Sequence, residues 1–174
     1  RLMNKDFLNY FADNWKPDYT KFKYSGWALL DKIKEDDQIL DIGCGYNLFK
    51  KHFGNRLYGI DPANNKADQV IAWEDYKPHK KFNVFFILGS INFGDEKYVE
   101  SQIAKLSRET KTGDKVYWRQ NPGLGDHPWK DTAQINFYPW SFDKNKEWAN
   151  KYNFKINKLL QDTGNRIYTE WTRN

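Results

Sequence analysis

Cys44 is the single cysteine in 174 residues. The chain alone therefore forms no internal disulfide, thiolate zinc cage or cysteine-held iron–sulfur cluster, and cluster-dependent radical chemistry is excluded. No apolar run approaches the roughly 20 residues that a membrane-crossing helix needs, so no membrane span or membrane partner is expected. Internal repeats, low-complexity tracts and Gly/Ser- or Pro-rich linkers are absent. The first residues do not resemble a signal peptide, and a cytoplasmic location is expected. Like charges do not run together either. A formal charge of +5 permits an anionic partner such as nucleic acid, but the lysines are scattered and mark no binding tract.

What is present fits a globular chain, with 39% hydrophobic and 29% charged residues. Its length suits one domain over residues 1–174. Helical and strand-like segments alternate along it. Phe7, Phe11 and Trp15 recur every four residues and predict an N-terminal helix, and Trp27, Leu30 and Ile33 predict a second. Strands are expected at Gln38–Ile42, Arg56–Ile60, Asp68–Trp73, along the very apolar FNVFFILG, and in KTGDKVYW. Helices are expected at Asn47–Phe53, Asp95–Thr110 (with Tyr98, Ile103 and Leu106 available for burial) and Phe142–Tyr152. FKINKLL, DTGN and RIYTEW read as a closing hairpin. This alternation predicts an α/β fold, a doubly wound, mostly parallel sheet with helices on both faces. Ligands of such sheets bind at the carboxyl ends of the strands, where strand order reverses.

QILDIGCGYN, residues 38–47, sits at one such end. Gly43 and Gly45 allow a tight turn and let a ligand approach the main chain where no Cβ intervenes. A dinucleotide loop would carry a third glycine, and Leu48 stands in that place. Asp41, two residues before the first glycine, favours a cationic or amine-bearing group and repels a diphosphate. Asp61 ends the next strand, in LYGIDPANN, at the distance of an acid that holds both ribose hydroxyls. The two strand ends together describe a ligand with a ribose and a positive or zwitterionic part but no pyrophosphate. S-adenosylmethionine meets that description.

On these residues the sequence resembles the class I S-adenosylmethionine-dependent methyltransferases. LDIGCG resembles the family's first motif and LYGIDP its ribose-binding strand end. IAWEDY is similar to the segment flanking adenine, FNVFFILGSINFG to the strand beneath the transferable methyl, and KINKLLQDTGNRIYTEW to the terminal hairpin. The resemblance covers nearly all of residues 25–174. It implies a Rossmann-like core at 36–174 of seven strands, six of them parallel, with an antiparallel last strand, and N-terminal helices in 1–35 covering the cofactor pocket. It further implies that Asp41, Gly43 and Gly45 shape the methionine end, with Cys44 contributing backbone. Asp61 and Pro62 would lie at the ribose, Trp73 with Glu74 or Asp75 at the adenine, and Gly89 and Ser90 near the sulfonium.

Methyl transfer from a sulfonium is a direct displacement, which needs alignment and desolvation, no obligatory metal, and a base only where the acceptor must lose a proton. His52 and His79 lie in charged surroundings and read as surface residues. His127 and Asp126 follow the fifth strand and are the candidates for a base. Trp129, Tyr138 and Trp140 suit either a substrate wall or a cover for the sheet. GSIN stands where methylases of exocyclic base amines or glutamine resemble one another in an Asn/Asp-Pro-Pro-aromatic stretch, which argues against that chemistry. Cytosine-carbon methylation is excluded because the only cysteine is in the glycine loop. A small-molecule acceptor is favoured, since little chain remains to form a docking domain. The alternatives are a methyltransferase of RNA or protein, and a non-catalytic module that binds the cofactor or serves in an assembly.

Overall fold

The computed structural model describes residues 5–124 and 135–174. Strands β1 (Ile39–Ile42), β2 (Leu57–Asp61), β3 (Gln69–Val70), β4 (Val84–Leu88), β5 (Lys115–Gln120), β6 (Phe154–Asp162) and β7 (Arg166–Arg173) form one seven-stranded sheet in the order β3-β2-β1-β4-β5-β7-β6. The pairings among the first five strands are parallel. β7 runs antiparallel to both β5 and β6, so six strands point one way and β7 alone points back. Strand order reverses between β1 and β4, the place where such sheets hold ligands.

Alternate residues of the central strands feed two separate apolar layers, as the period of a pleated strand requires. Leu40 and Ile42 of β1, Phe85 and Ile87 of β4, and Val116 and Trp118 of β5 face one layer. That layer is completed by helices α3 (Glu96–Glu109) and α4 (Phe142–Lys151), through Val99, Ile103, Leu106, Trp148 and Ala149. Ile39, Val84, Phe86 and Tyr117 face the opposite layer, which Tyr19, Leu29, Phe49 and Phe53 cover. Continuous burial along β1 and nearly all of β4 is the reason both read as uninterrupted apolar runs.

Several elements are shorter than their sequence pattern predicts. α1 spans Lys5–Asn9 and passes into a π-helical turn, Tyr10–Asn14, closed by the Trp15 amide on the Tyr10 carbonyl. Trp27–Lys32 is a 3₁₀ helix, and its fully buried residue is Leu29. The helix expected over Asn47–Phe53 is only α2, Lys50–Phe53, because Asn47 adopts φ 58° and turns the chain before the helix can begin. The strand expected to run to Trp73 stops at Val70. Residues 73–75 instead form a 3₁₀ turn that tucks the Trp73 ring beneath α3, its Nε1 donating to the Gln102 carbonyl. Among the described residues no helix is long and apolar enough to cross a membrane.

Candidate functional site

A cavity of about 590 Å³ lies over the carboxyl ends of β1, β2, β4 and β5. Its floor is the turn after β1. The amides of Gly43 and Cys44 both donate to the Ile60 carbonyl, at 2.8 and 2.9 Å, which binds this turn to β2. Gly43 has φ 76°, and a Cβ there would collide with the side chain of Ser90. Ser90 in turn donates its hydroxyl to the Ile42 carbonyl at 2.5 Å, fastening the end of β4 to β1. Gly45 has φ 55°, and a Cβ there would lie 2.8 Å from the Trp15 ring. Both glycines thus serve close approach as well as backbone conformation.

Asp61 joins the first two strand ends. Its Oδ2 accepts the Gly45 amide at 2.9 Å, and its Oδ1 accepts the amides of Ala63 and Asn64 at 2.8 and 2.9 Å. Behind it, Asp68 takes the Gly59 amide and the Asn47 side chain and pairs with Lys50 at 3.1 Å. Asp41 is 3% exposed, and no described residue donates a hydrogen bond to its carboxylate. Burial, reinforced by the Asp61 and Asp68 charges, pushes its pKa up to about 8. Burial likewise pushes the Cys44 thiol well above its usual range, which leaves this cysteine an unreactive packing group.

The side wall beyond β2 consists of Ile71, Ala72 and Trp73, with Tyr98 and Gln102 of α3 beside them. An aromatic cover runs from Phe11 to Phe93 to Phe137, with ring centroids 5.3 Å apart at each step, while Trp15 lies parallel to Tyr46. At the β5 side, Arg119 pairs with Asp162 at 3.0 Å and packs its guanidinium on Phe22. Asp162 also accepts from Ser25, which ties the segment covering the cavity to the C-terminal hairpin. Just past β5 the Asn121 amide donates to Asn92 Oδ1 at 3.0 Å, so the loops after β4 and β5 are locked together.

Of the residues singled out in the sequence, Gly43, Gly45, Asp61, Pro62, Trp73, Gly89 and Ser90 line this cavity. Asp41 and Cys44 lie behind its wall. Glu74 and Asp75 follow Trp73 on the same turn but are not among the lining residues, because the turn carries them past the wall once the indole is buried. His52 and His79 are exposed. Tyr138 and Trp140 pack against Trp148 and cover the sheet, outside the lining. Asp126, His127 and Trp129 lie outside the described residues. The sequence reading passed over Gln102, Asn92 and Arg119; only Gln102 carried a signal, as a polar residue within an apolar helical stripe.

No protein-family model matches the chain, and no curated protein matches it by sequence. Solved structures match its fold. An S-adenosylmethionine-dependent methyltransferase from Mesorhizobium loti superposes with TM-score 0.65 at 10% identity, over 86% of this chain and 98% of that one. The magnesium protoporphyrin IX methyltransferase of Synechocystis, with bound S-adenosylmethionine, gives 0.63 at 12% identity over 85% and 75%. The 1,6-didemethyltoxoflavin-N1-methyltransferase of Burkholderia thailandensis, with its substrate and S-adenosylhomocysteine bound, gives 0.62 at 10% identity over 78% and 70%. The chain therefore has the class I S-adenosylmethionine-dependent methyltransferase fold.

Proposed function

We propose that the protein is an S-adenosylmethionine-dependent methyltransferase acting on a small acceptor. The observation that carries this reading is the 2.9 Å bond from the Gly45 amide to Asp61, which brings a Cβ-free turn and a carboxylate onto one cavity. The residues fit the cofactor. The volume of about 590 Å³ lies in the small-molecule range of about 300–1,000 Å³. The turn that would face a diphosphate in a dinucleotide site has the Asp61 carboxylate on it and Asp41 behind it, which an approaching ammonium would ionise; the pair suits an ammonium or sulfonium instead.

When bound, the cofactor supplies an electrophilic methyl group on a cationic sulfur. The chain's own residues orient and dehydrate. Gly43 and Gly45 open the floor, and Asp61 offers its remaining lone pairs to ribose hydroxyls. Trp73 contributes an apolar surface at the base end, and Gly89 and Ser90 border the space between β1 and β4. Phe11, Trp15, Phe93 and Phe137 exclude water above the reacting centre, which strengthens the alignment on which displacement depends. The enclosed aromatic cover favours a small, partly apolar acceptor. Asp126 and His127 remain the proposed bases, for an acceptor that loses a proton.

Calorimetric titration with S-adenosylmethionine and S-adenosylhomocysteine, with NAD as control, tests the reading. Micromolar binding of the first two, none of NAD, and loss of binding in Asp61→Ala are expected. If the protein binds neither adenosyl compound, the enzyme reading is dropped in favour of a structural or partner-binding role.

A further inference from the structure

The buried face of α3 carries one polar side chain. Val99, Ile103 and Leu106 are fully buried at helical spacing, and Gln102 lies among them at 8% exposure. Its main-chain carbonyl is committed, accepting Trp73 Nε1 at 3.1 Å. Gln102 is a lining residue of the cavity, and no described residue is hydrogen-bonded to its carboxamide. Burying an amide in an apolar stripe is unfavourable unless something pairs with it. The described residues supply no pairing, which leaves the carboxamide available to a group that enters the cavity.

Sheet order says which part of the ligand. β2 lies between β1 and β3. A ligand whose ribose sits on Asp61 at the end of β2 therefore extends one arm over the glycine turn after β1 and the other toward the end of β3. The second arm meets Ile71, Ala72, Trp73 and Gln102. Glu74 and Asp75 are off that wall, so the acids of the turn are not placed to read a base.

We propose that Gln102 recognises the edge of adenine. Its carboxamide oxygen accepts from the exocyclic amine and its NH₂ donates to the adjacent ring nitrogen, the two-point pairing that a carboxamide makes with this base. The inference rests on the cofactor reading above and makes Gln102 a specificity-determining residue of that site.

The test compares binding of S-adenosylhomocysteine with its 6-deamino analogue, which has hydrogen in place of the amine. The wild type is expected to prefer the amine-bearing ligand about tenfold or more. Gln102→Met keeps the volume in an apolar setting; it is expected to preserve the melting temperature, weaken S-adenosylhomocysteine about tenfold and bind the two ligands alike. Gln102→Glu keeps the shape but cannot donate to the ring nitrogen, and is expected to weaken S-adenosylhomocysteine similarly. If either variant folds and keeps the wild-type preference, the assignment of Gln102 is overturned while the cofactor reading stands. If the wild type binds neither ligand, the cofactor reading fails and this inference fails with it.

Discussion

The amide of Gly45 and the carboxylate of Asp61 are 2.9 Å apart, and the same carboxylate holds the two amides that follow Pro62. A residue expected to grip a ligand is thus also the clasp between two strand ends. Its removal acts on shape and on binding together.

Asp61→Asn keeps one acceptor, enough for the Ala63 and Asn64 amides, but turns its NH₂ toward the Gly45 amide; it is expected to fold with a loss of about 1 kcal/mol and to weaken S-adenosylhomocysteine by about tenfold or more. Asp61→Ala leaves buried amides unpaired and is expected to cost about 1–3 kcal/mol of stability as well. Denaturant titration beside calorimetry separates the two effects. Equal binding by wild type and Asp61→Asn would remove Asp61 from the ligand site.

Gly43→Ala introduces a Cβ into the side chain of Ser90 at a backbone φ of 76°. Strain and collision together are expected to destabilise the protein by about 2–4 kcal/mol. Gly164, in the left-handed region at φ 73° and ψ 26° and with only an ordinary 3.7 Å contact for an added Cβ, is the control; Gly164→Ala should cost only about 1 kcal/mol, from backbone strain alone. Thermal unfolding of both variants checks the difference, and similar losses would sink the packing argument.

Asp41 holds a proton in the folded protein up to a pKa of about 8, whereas an unfolded aspartate loses it near pH 4. Its contribution to stability is therefore full below about pH 4 and is lost as pH rises toward 8. Asp41→Asn should gain stability relative to the wild type steadily from pH 5 to pH 8. A zwitterionic ligand whose ammonium approaches Asp41 would lower that pKa, so its binding near pH 7 should release a proton. Calorimetry in buffers of different ionisation heat reads this directly, and no proton release would place the ammonium elsewhere.

Burial opposes ionisation of Asp162, but hydrogen bonds from Ser25 and the Thr163 amide, with the Arg119 charge, outweigh it and hold its pKa below the usual value. The stability it gives is present above about pH 4 and is lost as pH falls through the lowered folded value. Asp162→Ala removes the carboxylate paired with Arg119, which keeps its bonds to Ser25 and the Thr163 carbonyl, and is expected to cost about 1–3 kcal/mol. Chemical denaturation at pH 7 and pH 3 checks it, with the gap between variant and wild type shrinking at the acid pH.

Much of the fold was legible because its signals are local. β1 and β4 are continuous apolar runs, Asp95 and Ser141 cap α3 and α4 as their side chains predict, and DTGN turns the closing hairpin. The cofactor-side residues were legible for the same reason: a glycine turn and a strand-ending acid are short patterns with steric causes. What escaped depends on contacts between distant segments. Trp73 looked like part of a strand, yet the chance to bury its indole under α3 bent the chain away after Val70. Gln102 falls in the apolar stripe of Val99, Ile103 and Leu106, but only the packing of α3 beside Trp73 shows that this stripe borders the cavity. The Ser25–Asp162 bond joins positions 137 apart in the chain, and no pattern of either neighbourhood announces it.

Because β7 runs against its neighbours, it presents its first residue rather than its last to the cavity rim. Thr163, Gly164 and Arg166, from a hairpin turn, consequently border the same space as the glycine floor. Turns accept substitution and insertion more readily than strands. The arrangement places the part of the chain freest to diverge beside one side of the cavity, while the opposite side is fixed by steric contacts that tolerate almost nothing. Descendants of such a chain could change what they admit by rewriting a few turn residues, leaving the Asp61 side untouched.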